Sequence, residues 1–135
     1  MKKILLSGLV AGIVMLVIAV ALSFAWQFIF PSVALEYATP LFRPWSDPLM
    51  SLIFVCPLLT GFFLAWIWSM VKGCHQGSAS KKVLLFATGW TIFSFLGIFM
   101  TYSCFQMSFL MMLTWVLSSA TQYYFGTWVL IKMNK

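Results

Sequence analysis

Charged residues are scarce in this chain, and so are the side chains from which most catalytic sites are built. Only 7% of its 135 residues are Asp, Glu, Lys or Arg, and it has two acidic residues and one histidine. A soluble domain carries about 25% charged residues, so the composition excludes an ordinary soluble fold. General acid–base catalysis needs paired titratable groups, and we therefore predict no catalytic residue.

Cysteine is also rare, and its spacing excludes the usual cysteine frameworks. Cys56, Cys74 and Cys104 are odd in number and form no CxxC pair, so neither a disulfide network nor a zinc site is indicated. The dipeptide Cys74–His75 could contribute to a metal or haem site, but a metal ion needs three or four ligands. We predict no metal and no cofactor, and a redox role for Cys56 and Cys104 is the least favoured hypothesis.

Apolar sequence is what the chain has in abundance. It is 63% hydrophobic with a mean hydropathy of +1.02, and residues 83–131 are 49 consecutive positions without a charged side chain. One membrane crossing needs about 20 apolar residues, so this run predicts two crossings with a turn at residues 103–108. Backbone in lipid must satisfy its own hydrogen bonds, which makes both crossings helices.

Two further apolar runs precede this pair. The first follows Lys2 and Lys3 and spans 27 residues, longer than the roughly 7–15 residues of a signal peptide's apolar region, so we expect a retained helix. The sequence thus predicts an all-α integral membrane protein, a four-helix transmembrane bundle forming a single domain over residues 1–135. Its predicted helices are residues 4–30, 48–71, 82–103 and 108–131, with an outer loop at 31–47 and an inner loop at 72–81.

The basic residues predict the orientation of this bundle. With four crossings, all the lysines fall on one side and Arg43 alone on the other. Because cytoplasmic loops are enriched in Lys and Arg, both termini are expected in the cytoplasm, in the plasma (inner) membrane. The net charge of +6 then reflects topology and contact with the lipid bilayer, so no nucleic-acid partner is predicted.

The outer loop combines proline with all the acidic side chains. Residues 31–48 hold four prolines together with Glu36, Arg43 and Asp47. Proline fixes φ and lacks a backbone donor, so a stiff loop rather than a helix is expected here. Asp47 is predicted to cap the next helix, which Pro48 begins, and Arg43 is expected to pair with Glu36 or Asp47.

Small and hydroxyl-bearing residues predict how the helices pack. Gly8 and Gly12 form a GxxxG pair, which allows close helix contact; the neighbour is either a second copy or, as we favour, another helix of the same chain. Polar faces on the third and fourth predicted helices are expected to meet, since hydrogen bonds stabilise helix pairs in membranes. These faces contain Thr91, Ser94 and Thr101 on one helix and Thr114, Ser118 and Gln122 on the other.

Pro57 lies inside the second predicted membrane helix and should kink it. Cys56, Thr60 and Gly61 cluster beside the kink, where they could replace the lost hydrogen bond. Such kinks are usually only a matter of helix shape, but they can also line a cavity, which makes these four residues a candidate cavity site.

Several short segments resemble small bacterial four-helix membrane proteins of unknown function. The likeness covers residues 3–12 and 41–50, together with Leu113-Thr114-Trp115 and Gln122-Tyr123. It spans most of the chain through short hydrophobic motifs. The resemblance implies a prokaryotic plasma membrane and no known activity.

Two functional hypotheses stand beside the redox one. The absence of intramembrane charge and the small-residue faces favour an accessory or scaffold subunit, acting by helix packing in a homo-oligomer or a larger membrane complex. The alternative is a binder of lipid or of a small hydrophobic molecule in a cavity near Pro57. An ion-coupled transporter is disfavoured because such proteins generally place an ionisable residue within the membrane.

Overall fold

The computed structural model describes residues 2–74 and 77–134. Within these ranges the chain forms five α-helices and no strand, which confirms the predicted all-α class. One 3-10 turn, Pro48–Ser51, leads into the third helix, and a second, Lys72–Cys74, follows it. The helices are α1 Lys2–Ile29, α2 Pro31–Tyr37, α3 Leu52–Val71, α4 Ala79–Cys104 and α5 Phe109–Met133.

Three helical segments are long and apolar enough to cross a membrane. They are Lys2–Ile29, Pro48–Val71 and Ala79–Cys104, and they make this a membrane protein with transmembrane helices. The fifth helix, α5, is of similar length at 25 residues. Its apolar sequence is interrupted by hydroxyl and amide side chains, including Ser118, Ser119 and Gln122.

The long helices are arranged around α1. It packs along α3 on one side and along α5 on the other, and α4 packs along α5. No comparable contact joins α3 to α4 in the described part of the chain. The contacting helices are antiparallel, so one end of the bundle, here called the terminal end, holds the beginnings of α1 and α4 and the ends of α3 and α5. The opposite end is called the loop end.

Small residues on two faces of α1 explain its central position. Gly8 and Gly12 lie directly against the backbone of α3 around Gly61, while on the other face Met15 covers Gly126 of α5. Each glycine removes the side chain that would hold the helices apart, so α1 approaches both neighbours closely.

The apolar core lies in the terminal half of the bundle. There the ring of Trp68 on α3 meets that of Phe86 on α4, with centroids 5.3 Å apart and the planes at 70°. This edge-to-face contact is a favourable arrangement for aromatic pairs and joins two helices that separate elsewhere. The core contains Ala11, Met15, Leu64, Ala65, Trp68, Val83, Phe86, Leu130 and Ile131.

The prediction that residues 31–47 form only a loop is wrong over α2. Pro31 takes the first position of that helix, where its missing N–H would have no helical partner and its fixed φ suits the helix. The next proline is Pro40, beyond the end of α2. The helix lies across the loop end with Val33 only 1% exposed.

The helix caps follow the sequence more closely. Asp47 is confirmed as a cap, since its carboxylate accepts a hydrogen bond from the Leu49 N–H at 2.9 Å. Ser78 caps α4 by accepting from the Lys81 N–H. Because α4 begins at Ala79, the last residues of the predicted inner loop 72–81 are helical, and residues 75–76 of that loop lie outside the described residues.

Candidate binding cavity

A cavity of about 520 Å³ lies in the loop half of the bundle and is lined by residues of α1, α2, α3, α4 and α5. Toward the terminal end the ring contact between Trp68 and Phe86 joins α3 to α4, but no extensive contact joins these two helices in the described residues. We call it the central cavity. It is lined by Met15, Ala19, Ser23, Trp26, Val33, Tyr37, Ile53, Cys56, Pro57, Thr60, Ser94, Ile98, Thr114, Trp115, Ser118, Ser119, Gln122 and Tyr123.

The lining of the central cavity is polar but uncharged. It includes six serine or threonine hydroxyls and one glutamine amide, together with the polar edges of four Trp and Tyr rings. Within the described residues, no Asp, Glu, Lys, Arg or His contributes to it. The cavity therefore offers hydrogen bonds without offering a counter-ion.

One hydrogen bond crosses the cavity wall between helices distant in sequence. The indole Nε1–H of Trp26 on α1 donates to the hydroxyl of Ser118 on α5 at 2.8 Å. A buried indole N–H normally finds such a partner. In accepting, Ser118 keeps its own hydroxyl proton available for another acceptor.

Other hydroxyls of the lining are satisfied within their own helices. Thr60 donates to the carbonyl of Cys56 at 2.9 Å, and Thr114 donates to the carbonyl of Met111 at 2.7 Å. By contrast, neither Ser94 nor Gln122 has a side-chain hydrogen bond to another described residue. Ser119 and Tyr123 likewise have none, so these four side chains present polar groups to the cavity without a partner in the described residues.

A second space continues from the central cavity into the gap between α3 and α4. This gap cavity, of about 470 Å³, shares Thr60 and Ser94 with the central cavity and extends to Phe63 and Gly97. Phe63 is 54% exposed at its rim, and a side chain at Gly97 would meet no atom within 4 Å. The gap cavity therefore opens on the lateral surface of the bundle.

A third space lies at the loop end and contains the only charged group near the cavities in the described chain. This outer cavity, of about 450 Å³, is lined by Arg43 and shares Tyr37 and Trp115 with the central cavity. Between the two spaces, the Trp115 Nε1–H donates to the Tyr37 hydroxyl at 2.6 Å. Burial raises the pKa of Tyr37, with the Trp115 bond opposing this and the charge of nearby Glu36 adding to it.

The outer charges are engaged within the protein. Arg43 forms an ion pair with Asp47 at 2.7 Å, one of the two partners expected from the sequence. The pKa of Asp47 is lowered first by the Leu49 N–H and then by its bond with Arg43. Glu36 instead accepts a hydrogen bond from the Ser108 N–H at 2.9 Å, which fastens α2 to the start of α5.

The structure separates the predicted cavity residues into two groups. Cys56, Pro57 and Thr60 line the central cavity. Gly61 does not, because it faces α1, where a side chain would lie 2.5 Å from the Cα of Gly12. Cys56, Pro57 and Thr60 thus share one cavity, whereas Gly61 allows α3 to pack closely on α1.

The predicted hydroxyl faces of the last two helices are also divided. Ser94, Thr114, Ser118 and Gln122 line the central cavity. Thr101 lines the gap and outer cavities instead, and Thr91 borders a separate space between α4 and α5. Thr91 donates to the carbonyl of Ala87 and Thr101 to that of Gly97, each within α4. No hydrogen bond between side chains of α4 and α5 is present in the described residues, so these helices are held by packing.

Sequence reasoning missed the aromatic part of the lining. Trp26 gave a usable signal, since an indole in an otherwise aliphatic helix must place its N–H against an acceptor. Tyr37 and Trp115 gave none, because their meeting depends on α2. The missed lining residues are Trp26, Tyr37, Trp115, Ser119 and Tyr123.

The cysteines provide no assembled redox site in the described residues. Cys56 and Cys104 are both free and exposed. His75, and the side chain of Cys74 next to it, lie outside what the structure describes.

The likeness to small bacterial membrane proteins rests on the sequence segments alone, and the function has to be argued from the site's geometry and chemistry. Comparisons of the chain with protein-family models, with curated proteins and with solved structures gave no match.

Proposed function

We propose that this protein is a four-helix transmembrane unit of the plasma membrane that binds a lipid or a small hydrophobic molecule in the central cavity. One observation carries the proposal: a 520 Å³ space lined by both apolar and uncharged polar groups lies inside the bundle. Small-molecule sites typically measure about 300–1,000 Å³ and combine apolar walls with a few polar groups.

The proposal includes α5 as the fourth crossing. A helix of 25 residues is about 37 Å long, enough for a hydrocarbon core of about 30 Å. It runs antiparallel to α4 after a short turn, and its polar side chains face the cavity instead of lipid. The lysines then lie at the terminal end, which we assign to the cytoplasm because of the excess of positive charge there.

Packing defects alone do not account for the composition of the cavity wall. A gap left by poor helix fit would be lined mainly by aliphatic side chains, since polar groups in lipid are costly without partners. Ser94 and Gln122 instead direct unsatisfied polar groups at the space. A ligand with hydrogen-bonding atoms would satisfy them.

Filling the cavity with a bulky side chain tests the proposal. The protein is extracted from membranes in mild detergent and examined by native mass spectrometry for a bound molecule. The variant Ser94→Phe places a ring where the central and gap cavities meet; Leu96→Phe is its matched control on the same helix, at a position 61% exposed. The wild-type protein and Leu96→Phe should retain the bound molecule, and Ser94→Phe should lose it. Equal occupancy in all three proteins, or none in the wild type, would contradict the proposal.

A second candidate is the accessory or scaffold role, in which another membrane subunit packs on α4. In the described residues that helix makes extensive contact with α5 alone. Gly89 and Gly97 have open space beside them on either side of Phe93, which is 71% exposed. Substituting Gly89→Leu should then displace a co-purifying protein, detected as a loss of mass in detergent, while leaving a cavity ligand bound. Retention of the same assembly would count against this role.

A further inference from the structure

We infer that the ligand of the central cavity is an uncharged amphiphile carrying a hydroxyl or carbonyl oxygen, and that it enters sideways through the gap between α3 and α4. This inference rests on the proposed function and specifies both the chemical class of the ligand and its route.

The absence of a counter-ion in the lining excludes a charged head group from the cavity. Moving a charge into a membrane interior is costly unless it is paired, and the described lining of both the central and gap cavities is uncharged. The nearest basic group, Arg43, lines the outer cavity and is already paired with Asp47. A phosphate-bearing lipid would therefore find no partner within the central cavity.

The polar groups that remain free are suited to an oxygen-bearing ligand. Ser118 has its oxygen occupied by the Trp26 indole, so its own proton is directed to an acceptor. Gln122 can both donate and accept, and Ser94 can do the same. A carbonyl or hydroxyl oxygen is the kind of group that these side chains can bond, while apolar lining residues such as Met15 and Ile98 accommodate the rest of the molecule.

At each end of the bundle, side-chain contacts lie beside the central cavity. At the terminal end, Trp68 and Phe86 bring α3 and α4 together. At the loop end, the hydrogen bond between Trp115 and Tyr37 stands between the outer and central cavities, and Glu36 fixes α2 through its bond to the Ser108 N–H. Opening this route would break hydrogen bonds.

The lateral gap has no such closure. No hydrogen bond between α3 and α4 spans it in the described residues, and its floor includes Gly97, where no side chain fills the space. In a transmembrane bundle this opening faces lipid. An uncharged amphiphile dissolved in the membrane can therefore reach Ser94 and Gln122 without passing through water.

Photolabelling in nanodiscs of phosphatidylcholine tests both parts of the inference. The probe is a diacylglycerol with a diazirine in one acyl chain, and labelled positions are mapped by peptide mass spectrometry. Unlabelled dioleoylglycerol and the short-chain quinone decylubiquinone serve as uncharged competitors, one carrying a hydroxyl and the other carbonyls. Dioleoylphosphatidylglycerol serves as the charged competitor with matched acyl chains.

We expect labels around Ser94 and on α5 near Ser118–Gln122, removed by at least one uncharged competitor about tenfold more effectively than by phosphatidylglycerol. Stronger competition by dioleoylglycerol would indicate that the ligand is an alcohol, and stronger competition by decylubiquinone would indicate a quinone. Equal or better competition by phosphatidylglycerol would overturn the ligand class while leaving a cavity that binds lipid. If neither uncharged compound competes, the inference fails, and the native mass spectra then show independently whether any molecule is bound.

The lateral route is tested with two variants of α4. Gly97→Phe fills the gap cavity, where a side chain has open space, whereas Leu96→Phe is its control on the same helix, at a position 61% exposed. Cavity labelling should slow about tenfold in Gly97→Phe and remain at the wild-type rate in Leu96→Phe. An unchanged rate in Gly97→Phe would overturn the lateral route without affecting the ligand class. Helicity and thermal unfolding of both variants show that the fold is retained.

Discussion

Gly12 of α1 and Gly61 of α3 lie so close that a methyl group at Gly61 would come within 2.5 Å of the Cα of Gly12. The groove formed by Gly8 and Gly12 is therefore filled by a helix of the same chain. Direct backbone contact of this kind leaves no side chain that could move to relieve a substitution.

Gly61→Ala should consequently destabilise the protein. The added methyl group meets the backbone of α1, and overpacking of this type costs about 1–3 kcal/mol. The matched control is Gly97→Ala on α4, which has open space and should be neutral or slightly stabilising because alanine favours helix. Reversible unfolding in mixed micelles measures both; equal stability of the two variants would contradict this close contact.

Thr127→Val should stabilise the protein. The hydroxyl of Thr127 is buried and has no hydrogen-bond partner in the described residues, and such a group costs about 1–3 kcal/mol. Valine keeps the shape and removes the orphan hydroxyl. Thr114→Val is the control, since Thr114 is equally buried on α5 but donates to the Met111 carbonyl. A Thr127→Val variant no more stable than Thr114→Val would indicate that the Thr127 hydroxyl has a partner.

Alkaline pH should weaken the protein through Tyr37. Its pKa is raised by burial, so the folded state holds the phenolic proton more tightly than the unfolded state. The stabilisation is complete below the unfolded value of about 10 and is lost as the pH rises from there through the folded pKa. Tyr37→Phe should be less stable at pH 8 because Trp115 loses its acceptor, yet its stability should fall less between pH 9 and pH 11. Thermal unfolding of the wild type, of Tyr37→Phe and of the control Tyr124→Phe across this pH range measures the effect. A parallel decline of the unfolding temperature in all three proteins would show that Tyr37 is not responsible.

A cysteine at Ser46 should react with a membrane-impermeant maleimide in intact cells, and a cysteine at Ser78 should not. The reason is that the lysine-rich terminal end is expected in the cytoplasm. Both positions are exposed, so access to reagent is comparable. Cys56, Cys74 and Cys104 are first replaced by Ala. Labelling of the Ser78 position from outside would reverse the proposed orientation.

The helical class could be predicted from the sequence because lipid leaves the backbone few alternatives. An uncharged run as long as residues 83–131 has to satisfy its hydrogen bonds internally, and helices do so. The Asp47 cap could be predicted for a similarly local reason, since a carboxylate one residue before Pro48 reaches the first free N–H groups. The misassigned α2 shows the limit of this reasoning: Pro31 begins a helix as readily as it ends one.

The cavity could be predicted only in part because helical periodicity shows which residues share a face and not which neighbour that face meets. Ser94 and Gln122 were expected to bring α4 and α5 together by hydrogen bonding. They instead border a space shared with α1 and α3. That space depends on packing between residues far apart in the chain.

The central position of α1 also divides the molecule into two helix pairs, and the contacts within each pair are more local in sequence than those between the pairs. The α1–α3 and α4–α5 pairs each join helices that are close along the chain, whereas Trp26 and Ser118, which link one pair to the other, are 92 residues apart. Contacts between distant residues close large loops and form late, and membrane helices insert before they associate. We therefore expect each pair to assemble by itself in a bilayer, and the two halves to recognise each other through the face of α1 that packs on α5. A chain broken between α3 and α4 retains every element of that recognition.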